Sequence, residues 1–259
     1  MNMNKKYFFF DIDGTLAAGV PGNQYIPKST KQTLNLLKEK GHFLALATGR
    51  SYAMSVGTMK KLGFENMVSD GGNGITIQGE LKGIEPLDYD LCIELIDECK
   101  EKGYIWAFSP DDKTRRLAPD ERFYEFTHDI YMETVVEENV NPRDYGQIYK
   151  VYIACFYPEE EKLETLKKLP YCRFHKEYLF VEPSDKSHGI KKMMDYFGAD
   201  YKDVVVFGDE KNDLSMFKDD WTKIAMGNAI DELKACATYI TSDVDDDGIY
   251  HACKHFGWI

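Results

Sequence analysis

Short apolar runs, each closed by a small or acidic residue, give the chain its first visible order. KYFFFD (6–11) and HFLALAT (42–48) are continuous apolar stretches, the pattern of parallel strands covered on both faces. Between them STKQTLNLLKEK (29–40) has helical spacing, with Ser29 or Thr30 available as N-cap and Gly41 to end it. Residues 51–62 predict a helix ended by Gly63, and NMVS (66–69) a short strand entering the turn DGGNG (70–74). After Gly74 the texture changes. ITIQGELKG predicts a hairpin turning at Gly79-Glu80, followed by a helix over about 88–102 and a strand, YIWAFS, at 104–109. Residues 110–147 read as irregular, acidic and aromatic. A strand (148–157), an acid-led helix (PEEEKLETLKKL, 158–169) and a second hairpin (171–184) follow. From Lys186 the alternation of helix and apolar strand returns, with DVVVFGD (203–209) again ending in Asp and a helix expected from NDLSMFK.

This rhythm predicts an α/β fold: a doubly wound parallel sheet over 1–81 and 185–259, interrupted by an inserted α+β cap domain at 82–184. The chain shows no internal repeat and no low-complexity linker.

Composition narrows the function classes. A chain of 259 residues with 43% apolar and 29% charged content is an ordinary globular sequence long enough for two domains. A net charge of −12 argues against non-specific binding to nucleic acid or to an anionic membrane, while leaving room for an anionic substrate met by a local cation. Only four apolar residues precede the first Asp in MNMNKKYFFFD without a polar break, too few for a signal segment, and no stretch is long enough to span a membrane. The expected location is the cytoplasm, with no obligate protein partner evident. The six cysteines form no CxxC pair and read as reduced, mostly buried thiols.

The chemistry gathers at strand ends. In an extended strand Asp11 and Asp13 would share a face, and two such charges 4 Å apart cost about 4 kcal/mol at an effective dielectric of ~20. A second apolar strand ends in Asp209 and Asp213; two others end in Thr48–Gly49–Arg50 and in Ser69, Asp70 and Asn73. Parallel neighbours would bring all of these to one rim. Clustered hard oxygen ligands call for a cation, and Mg²⁺ suits them best. Gly14, Thr15 and Gly49 offer backbone N–H groups to an anion, Thr48 a hydroxyl, and Lys186 a point charge. One carboxylate to attack phosphorus and another to move a proton would suffice for phosphoryl transfer through an acyl phosphate. Each pair alone is an ordinary turn or cap; four matched strand ends in order are not.

DIDGT (11–15), ATGR (47–50), Lys186 in VEPSDKSHGI and GDEKND (208–213) resemble the four motifs of the haloacid dehalogenase superfamily. The insertion, AMGNA (225–229) and SDVDDDGI (242–249) look like its Cof-type, subclass IIB phosphatases. The resemblance implies that Asp11 is the nucleophile and Asp13 the general acid/base. It further implies that Thr48 and Lys186 hold the phosphoryl group, and that Mg²⁺ is bound by Asp11, the Asp13 carbonyl and Asp209, with Asp213 holding metal-bound water or orienting Lys186. Asn212 would lie near phosphate or substrate, together with Gly14, Thr15, Gly49 and Arg50. The implied reaction is hydrolysis of a small phosphorylated metabolite, a sugar phosphate or similar; transfer to a sugar hydroxyl, as in a mutase, and a non-catalytic metabolite-binding regulator are the alternatives.

Glu210-Lys211 departs from the Gly or Ala that many relatives carry there, placing extra charge by the entrance. Arg115 and Arg116 read either as a solvated surface pair or as a grip on a second anionic group. His251 and His255 sit at i, i+4 without a helical HExxH pattern, and DVDDDG (243–248) lacks the acidic twelfth residue of a calcium loop, Lys254 standing there. Cys92 and Cys99, seven apart, are expected in the core on one side of the 88–102 helix.

Overall fold

A computed structural model describes residues 5–20, 23–173 and 175–259. The first residues of the N-terminal reading (1–4) and Phe174 of the second hairpin therefore lie outside the described residues. The elements run in the order β1 (Tyr7–Phe10), α1 (Lys28–Glu39), β2 (Phe43–Ala47), α2 (Tyr52–Lys61), β3 (Met67–Ser69), β4 (Gly74–Ile77), β5 (Glu80–Ile84) and α3 (Tyr89–Lys102). Then come β6 (Ile105–Ser109), β7 (Arg115–Ala118), α4 (Arg122–Thr127), β8 (Glu133–Val136), β9 (Lys150–Ala154), β10 (Tyr171–Cys172) and β11 (Tyr178–Val181). The last are α5 (Lys186–Phe197), β12 (Val204–Gly208), β13 (Thr222–Ala225), α6 (Asp231–Cys236), β14 (Tyr239–Ile240) and α7 (Gly248–His255). They form two compact units: one holds the residues up to Ser51, Ser55–Ile84 and Asp185–Ile259, the other Tyr52–Met54 and Glu85–Ser184.

The first unit is built on a sheet ordered β14-β13-β12-β1-β2-β3-β4-β5. Its pairings are parallel from β14 to β3 and antiparallel from β3 to β5. The strands leave β1 in both directions, so the strand order reverses there, and ligands bind at such a switch point in open α/β sheets. Phe8, Phe9 and Phe10 explain why β1 is central: all are fully buried. Phe9 packs with Ala45, Val204, Val206 and Met193 on one face. On the other, Phe8 meets the Trp258 ring edge-on at 5.0 Å and Phe10 meets Phe207 at 4.9 Å. Register then fixes the site. Phe10 pairs with Phe207 on one side and Leu46 on the other, so Asp11, Gly208-Asp209 and Ala47-Thr48 emerge level at one edge.

Several expectations need correction. The β4–β5 turn is Gln78–Gly79, one residue early, with φ of +52° and +80°; both residues adopt the left-handed conformation of a primed hairpin turn. β5 runs to Ile84, so residues 82–84 belong to the first sheet rather than to the insertion. The helix expected from NDLSMFK is a 3₁₀ segment, Lys211–Met216.

The second unit has its own sheet, ordered β10-β11-β9-β6-β7-β8 and antiparallel except for the pair β7–β8. Cys92, Leu95, Ile96 and Cys99 of α3 bury one side of that helix against Trp106, Phe108, Val151, Ile153 and Leu179. The stretch 110–147 is not irregular: it holds β7, α4 and β8. Nor is 158–169 a helix. It forms two 3₁₀ turns, Glu159–Lys162 and Thr165–Lys168, because Leu163 is extended and the Glu98 carboxylate accepts the N–H groups of Glu164 and Thr165, both at 2.9 Å.

Arg116 is also unlike its sequence reading. It is 1% exposed and bound to Asp129 Oδ2 at 2.5 Å and to Thr134 Oγ1 at 2.9 Å. Its guanidinium carbon lies 4.5 Å from the Phe123 ring centroid and 5.1 Å from that of Tyr152. This arginine is neither solvated nor available to a second anion; Arg115 is held by Asp111 at 3.0 Å.

Candidate active site

The carboxyl end of β1 is where the sequence-predicted residues converge. Asp11 continues the ladder, its N–H donating to the Phe207 carbonyl at 3.1 Å. Beyond it the chain turns sharply, the Ile12 carbonyl accepting from the N–H groups of Leu16 (3.0 Å) and Ala17 (2.7 Å). The two aspartates therefore part company. Asp11 is buried, whereas the Asp13 side chain is 45% exposed. Each also has its own cation, Lys186 for Asp11 and Arg50 for Asp13, which offsets much of the repulsion expected from a common strand face.

Asp11 pairs with Lys186, whose Nζ lies 2.6 Å from Asp11 Oδ1 and 2.5 Å from Asp213 Oδ1. Lys186 is the first residue of α5, where the helix dipole disfavours a cation. Asp185 caps the helix by accepting the Ser187 N–H at 3.0 Å, and the Ser215 hydroxyl accepts the Lys186 N–H at 3.0 Å. The Gly-rich turn after β3 makes the placement possible. A Cβ on Gly72, whose φ is +119°, would fall 2.0 Å from the Asp185 carbonyl oxygen, and one on Gly189 would fall 2.6 Å from the Gly72 carbonyl oxygen. The glycines of DGGNG thus bring the start of α5 close to the sheet, a role the sequence reading did not assign them.

Asp209 completes the cluster. Ligand-capable oxygens of Asp11, Asp209 and Asp213 all lie within 4.8 Å of one another, and all three residues are buried. Thr15 Oγ1 donates to Asp209 Oδ1 at 2.8 Å. Asp213 Oδ2 accepts the N–H groups of Asp209 (2.8 Å) and Glu210 (3.1 Å), so this carboxylate organises the turn as well as Lys186. Burial, with Asp11 and Asp213 nearby, pushes the Asp209 carboxyl up to about 8. Burial also raises Asp11 despite Lys186, while the two aspartates hold Lys186 firmly protonated despite its own burial. With all three carboxyls ionised, the cluster would carry two negative charges beyond what Lys186 neutralises, a hard-oxygen donor set that fits a divalent cation.

Other predicted residues fall into place less directly. The Asp13 carboxylate lies outside the cluster, accepting from Arg50 Nε at 2.9 Å, from Arg50 Nη2 and from Gln24 Nε2 at 2.5 Å. The Gly14 N–H is not free for an anion, because it donates to the Ala17 carbonyl at 2.9 Å. Gly14 instead permits a close approach: at φ +76°, a Cβ there would sit 2.0 Å from Asp209 Oδ2. Thr48 is buried, and its Oγ1 accepts the Arg50 N–H at 3.1 Å. The Asn212 side chain lies beside Gly49, its Nδ2 3.6 Å from where a Cβ on Gly49 would stand; Asn212 Oδ1 is buried without a hydrogen-bond partner among the described residues. Asn228 was missed beyond its place in AMGNA. Its Nδ2 donates to the Gly14 carbonyl at 2.9 Å and its Oδ1 accepts the Val244 N–H at 2.9 Å, tying the turn after β1 to two later loops.

The histidine pair makes no metal site: His251 bonds Ser242 at 2.9 Å and His255 stacks on Tyr239 with centroids 4.2 Å apart. All six cysteines are free thiols. No helix among the described residues is long and apolar enough to cross a membrane.

The sequence profile of the haloacid dehalogenase-like hydrolases matches residues 8–253. The chain belongs to that family. YkrA of Bacillus subtilis (strain 168), itself named as a candidate phosphatase, is 29% identical over 98% of this chain and 99% of its own length. A solved protein from Geobacillus kaustophilus HTA426 is 30% identical, with a TM-score of 0.81 over 99% of this chain and 100% of its own. The haloacid dehalogenase subclass IIB sugar phosphatase BT4131 is 26% identical, with a TM-score of 0.76 over 98% of this chain and all (100%) of that one. This haloacid dehalogenase-type hydrolase is accordingly a phosphoric monoester hydrolase acting on phosphorylated substrates, in a family that generally uses a divalent metal.

Proposed function

We propose that this chain is a Mg²⁺-dependent phosphatase that hydrolyses a small phosphorylated metabolite through an aspartyl phosphate on Asp11. The observation that carries the reading is the contact of Lys186 Nζ with Asp11 Oδ1 at 2.6 Å inside a buried three-carboxylate cluster. A buried lysine beside the attacking carboxylate offsets its charge and that of an approaching phosphate, which favours their encounter.

In this reading an Asp11 oxygen attacks phosphorus while Asp13 gives a proton to the leaving oxygen. Asp13 then takes a proton from the water that attacks phosphorus, and the bond from Asp11 to phosphorus breaks to return the carboxylate. Thr48 donates its hydroxyl to a phosphoryl oxygen, and Asn212 beside Gly49 meets phosphate or substrate. Asp213 holds Lys186 and the turn carrying Asp209. Mg²⁺, held by Asp11 and Asp209 with Asp213 alongside, would supply positive charge to the phosphoryl oxygens. The inserted second unit is read as the cap that selects substrate. A sugar phosphate is the favoured class, because BT4131 is described as a sugar phosphatase.

The test is phosphate release across sugar, nucleotide and cofactor phosphates with Mg²⁺. We expect free phosphate from at least one small monoester and none from Asp11→Asn. Conversion of a hexose 1-phosphate to its 6-phosphate would show a mutase instead, and substantial Mg²⁺-dependent turnover by Asp11→Asn would remove the assignment.

A further inference from the structure

We propose that Arg50 and Gln24 are positioning residues for Asp13: they hold the proton-shuttling carboxylate, and Arg50 serves it rather than the phosphoryl group. The inference rests on the reading of Asp13 as general acid/base.

Asp13 sits in a turn with its side chain 45% exposed, a setting in which a carboxylate ordinarily samples several rotamers. Here both of its oxygens are engaged, Oδ1 by two donors and Oδ2 by one, which leaves a lone pair on Oδ2 for the proton it transfers. Arg50 Nε reaches Oδ2 at 2.9 Å and Arg50 Nη2 reaches Oδ1, a bidentate fork that fixes the plane of the carboxylate as well as its place. Gln24 Nε2 reaches Oδ1 at 2.5 Å, and Gln24 Oε1 accepts from Arg50 Nη2 at 3.3 Å, closing a triangle. Each partner is itself anchored. Gln24 stands next to Tyr25, whose N–H and carbonyl exchange bonds of 3.0 and 2.9 Å with Ala18; the Arg50 N–H donates to Thr48 Oγ1 at 3.1 Å.

Stability does not account for this arrangement. Ion pairs this exposed contribute little to folding. Orientation does account for it, because a proton donor displaced by about 1 Å can lose on the order of a hundredfold in rate. In the first half-reaction the proton on Asp13 passes to the leaving oxygen as its bond to phosphorus breaks and the Asp11 oxygen bonds to phosphorus. A fixed Asp13 matters most when that oxygen is a poor leaving group.

The experiment compares kcat/KM, which reports steps through leaving-group departure, for a series of phosphate monoesters from alkyl to nitrophenyl. The enzymes are wild type, Asp13→Asn, Arg50→Gln, Arg50→Lys and Gln24→Leu, each checked for folding by thermal melting. We expect Arg50→Gln and Gln24→Leu to lose about tenfold or more on alkyl esters and less than about threefold on the nitrophenyl ester, a partial copy of Asp13→Asn. Arg50→Lys should not restore the alkyl rate, because an ammonium cannot form the fork, and inhibition by inorganic phosphate should be unchanged. Equal losses on every ester with weakened phosphate inhibition would overturn the proposal and place Arg50 on the phosphoryl group. Unchanged alkyl rates would overturn it too. If Asp13→Asn itself shows no leaving-group dependence, the general-acid reading falls and takes this inference with it. A steep dependence in Asp13→Asn alone removes only the roles of Arg50 and Gln24.

Discussion

Lys186 and Asp11 are 175 residues apart in sequence and 2.6 Å apart in the fold, both buried, with Asp213 on the other side of the same ammonium. Their pairing joins the start of α5 to the end of β1. Replacing Lys186 by Met would leave two buried carboxylates without their cation, and losing one member of a buried ionic group costs about 3–5 kcal/mol. Lys186→Met should therefore unfold at markedly lower denaturant when metal-free, and Lys186→Met with Asp213→Asn should recover part of the loss. Denaturant melts of the two variants check this; equal midpoints for wild type and Lys186→Met would contradict it.

Metal and proton should compete for the aspartate cluster. The Asp209 carboxyl is raised from 3.8 to about 8, chiefly by burial, so its protonated form is favoured in the metal-free fold. Its contribution to stability is present below the unfolded value and is lost as pH rises through about 8. Mg²⁺ needs the carboxylate, so binding should release protons near neutral pH and tighten between about pH 6 and about pH 8. Calorimetric titration with Mg²⁺ in buffers of different ionisation enthalpy measures the release. Chelating the metal should lower the melting temperature at about pH 8, by the equivalent of about 2.7 kcal/mol if Mg²⁺ had been at a hundredfold excess over Kd, and do little at about pH 5. Asp209→Asn should melt at least as high as the metal-free wild type and ignore Mg²⁺.

Gly72 is a backbone contact written as a glycine. Gly72→Ala would put a Cβ 2.0 Å from the Asp185 carbonyl oxygen at a φ of +119°, so α5 must shift at its first turn. Crowding and strain together should cost roughly 2–4 kcal/mol. Activity should fall along with stability, because the displaced turn carries Lys186. Parallel melts and turnover measurements test this, and an active Gly72→Ala of wild-type stability would refute it.

In the second unit, Arg116 and Asp129 form a pair with side chains 1% and 6% exposed. Arg116→Met alone should destabilise the protein by about 3–5 kcal/mol, whereas Arg116→Met with Asp129→Leu should lose much less. Denaturant unfolding of both variants separates a committed structural pair from an arginine held in reserve for a ligand, for which the double variant would lose substrate binding instead.

The sequence made the site legible where apolar strands end in acids. Phe8–Phe10 and Val204–Phe207 are short apolar runs of the kind a strand buried on both faces carries; Asp11 follows the first directly and Asp209 the second after Gly208. What it hid depends on partners far along the chain. The failed helix at 158–169 is decided by Glu98, some sixty residues earlier, whose carboxylate accepts two N–H groups there. That Arg116 is buried depends on Phe123, Tyr152 and Asp129, which no local pattern brings to it. Strand alternation puts Asp13 on the face of Asp11, but the turn beginning at Ile12 sends it to Arg50 and Gln24 instead. Apolar periodicity reports burial along an element, not which distant side chain will compete for a backbone donor.

In the proposed mechanism Asp11 carries the phosphoryl group. A reaction with excess substrate and Mg²⁺, quenched in acid within the first turnovers and digested for mass spectrometry, tests it directly. A phosphoryl group is expected on the peptide containing Asp11, lost on treatment with hydroxylamine and absent from Asp11→Asn. Turnover at an undiminished rate, with no phosphorylated Asp11 peptide at any quench time, would contradict it.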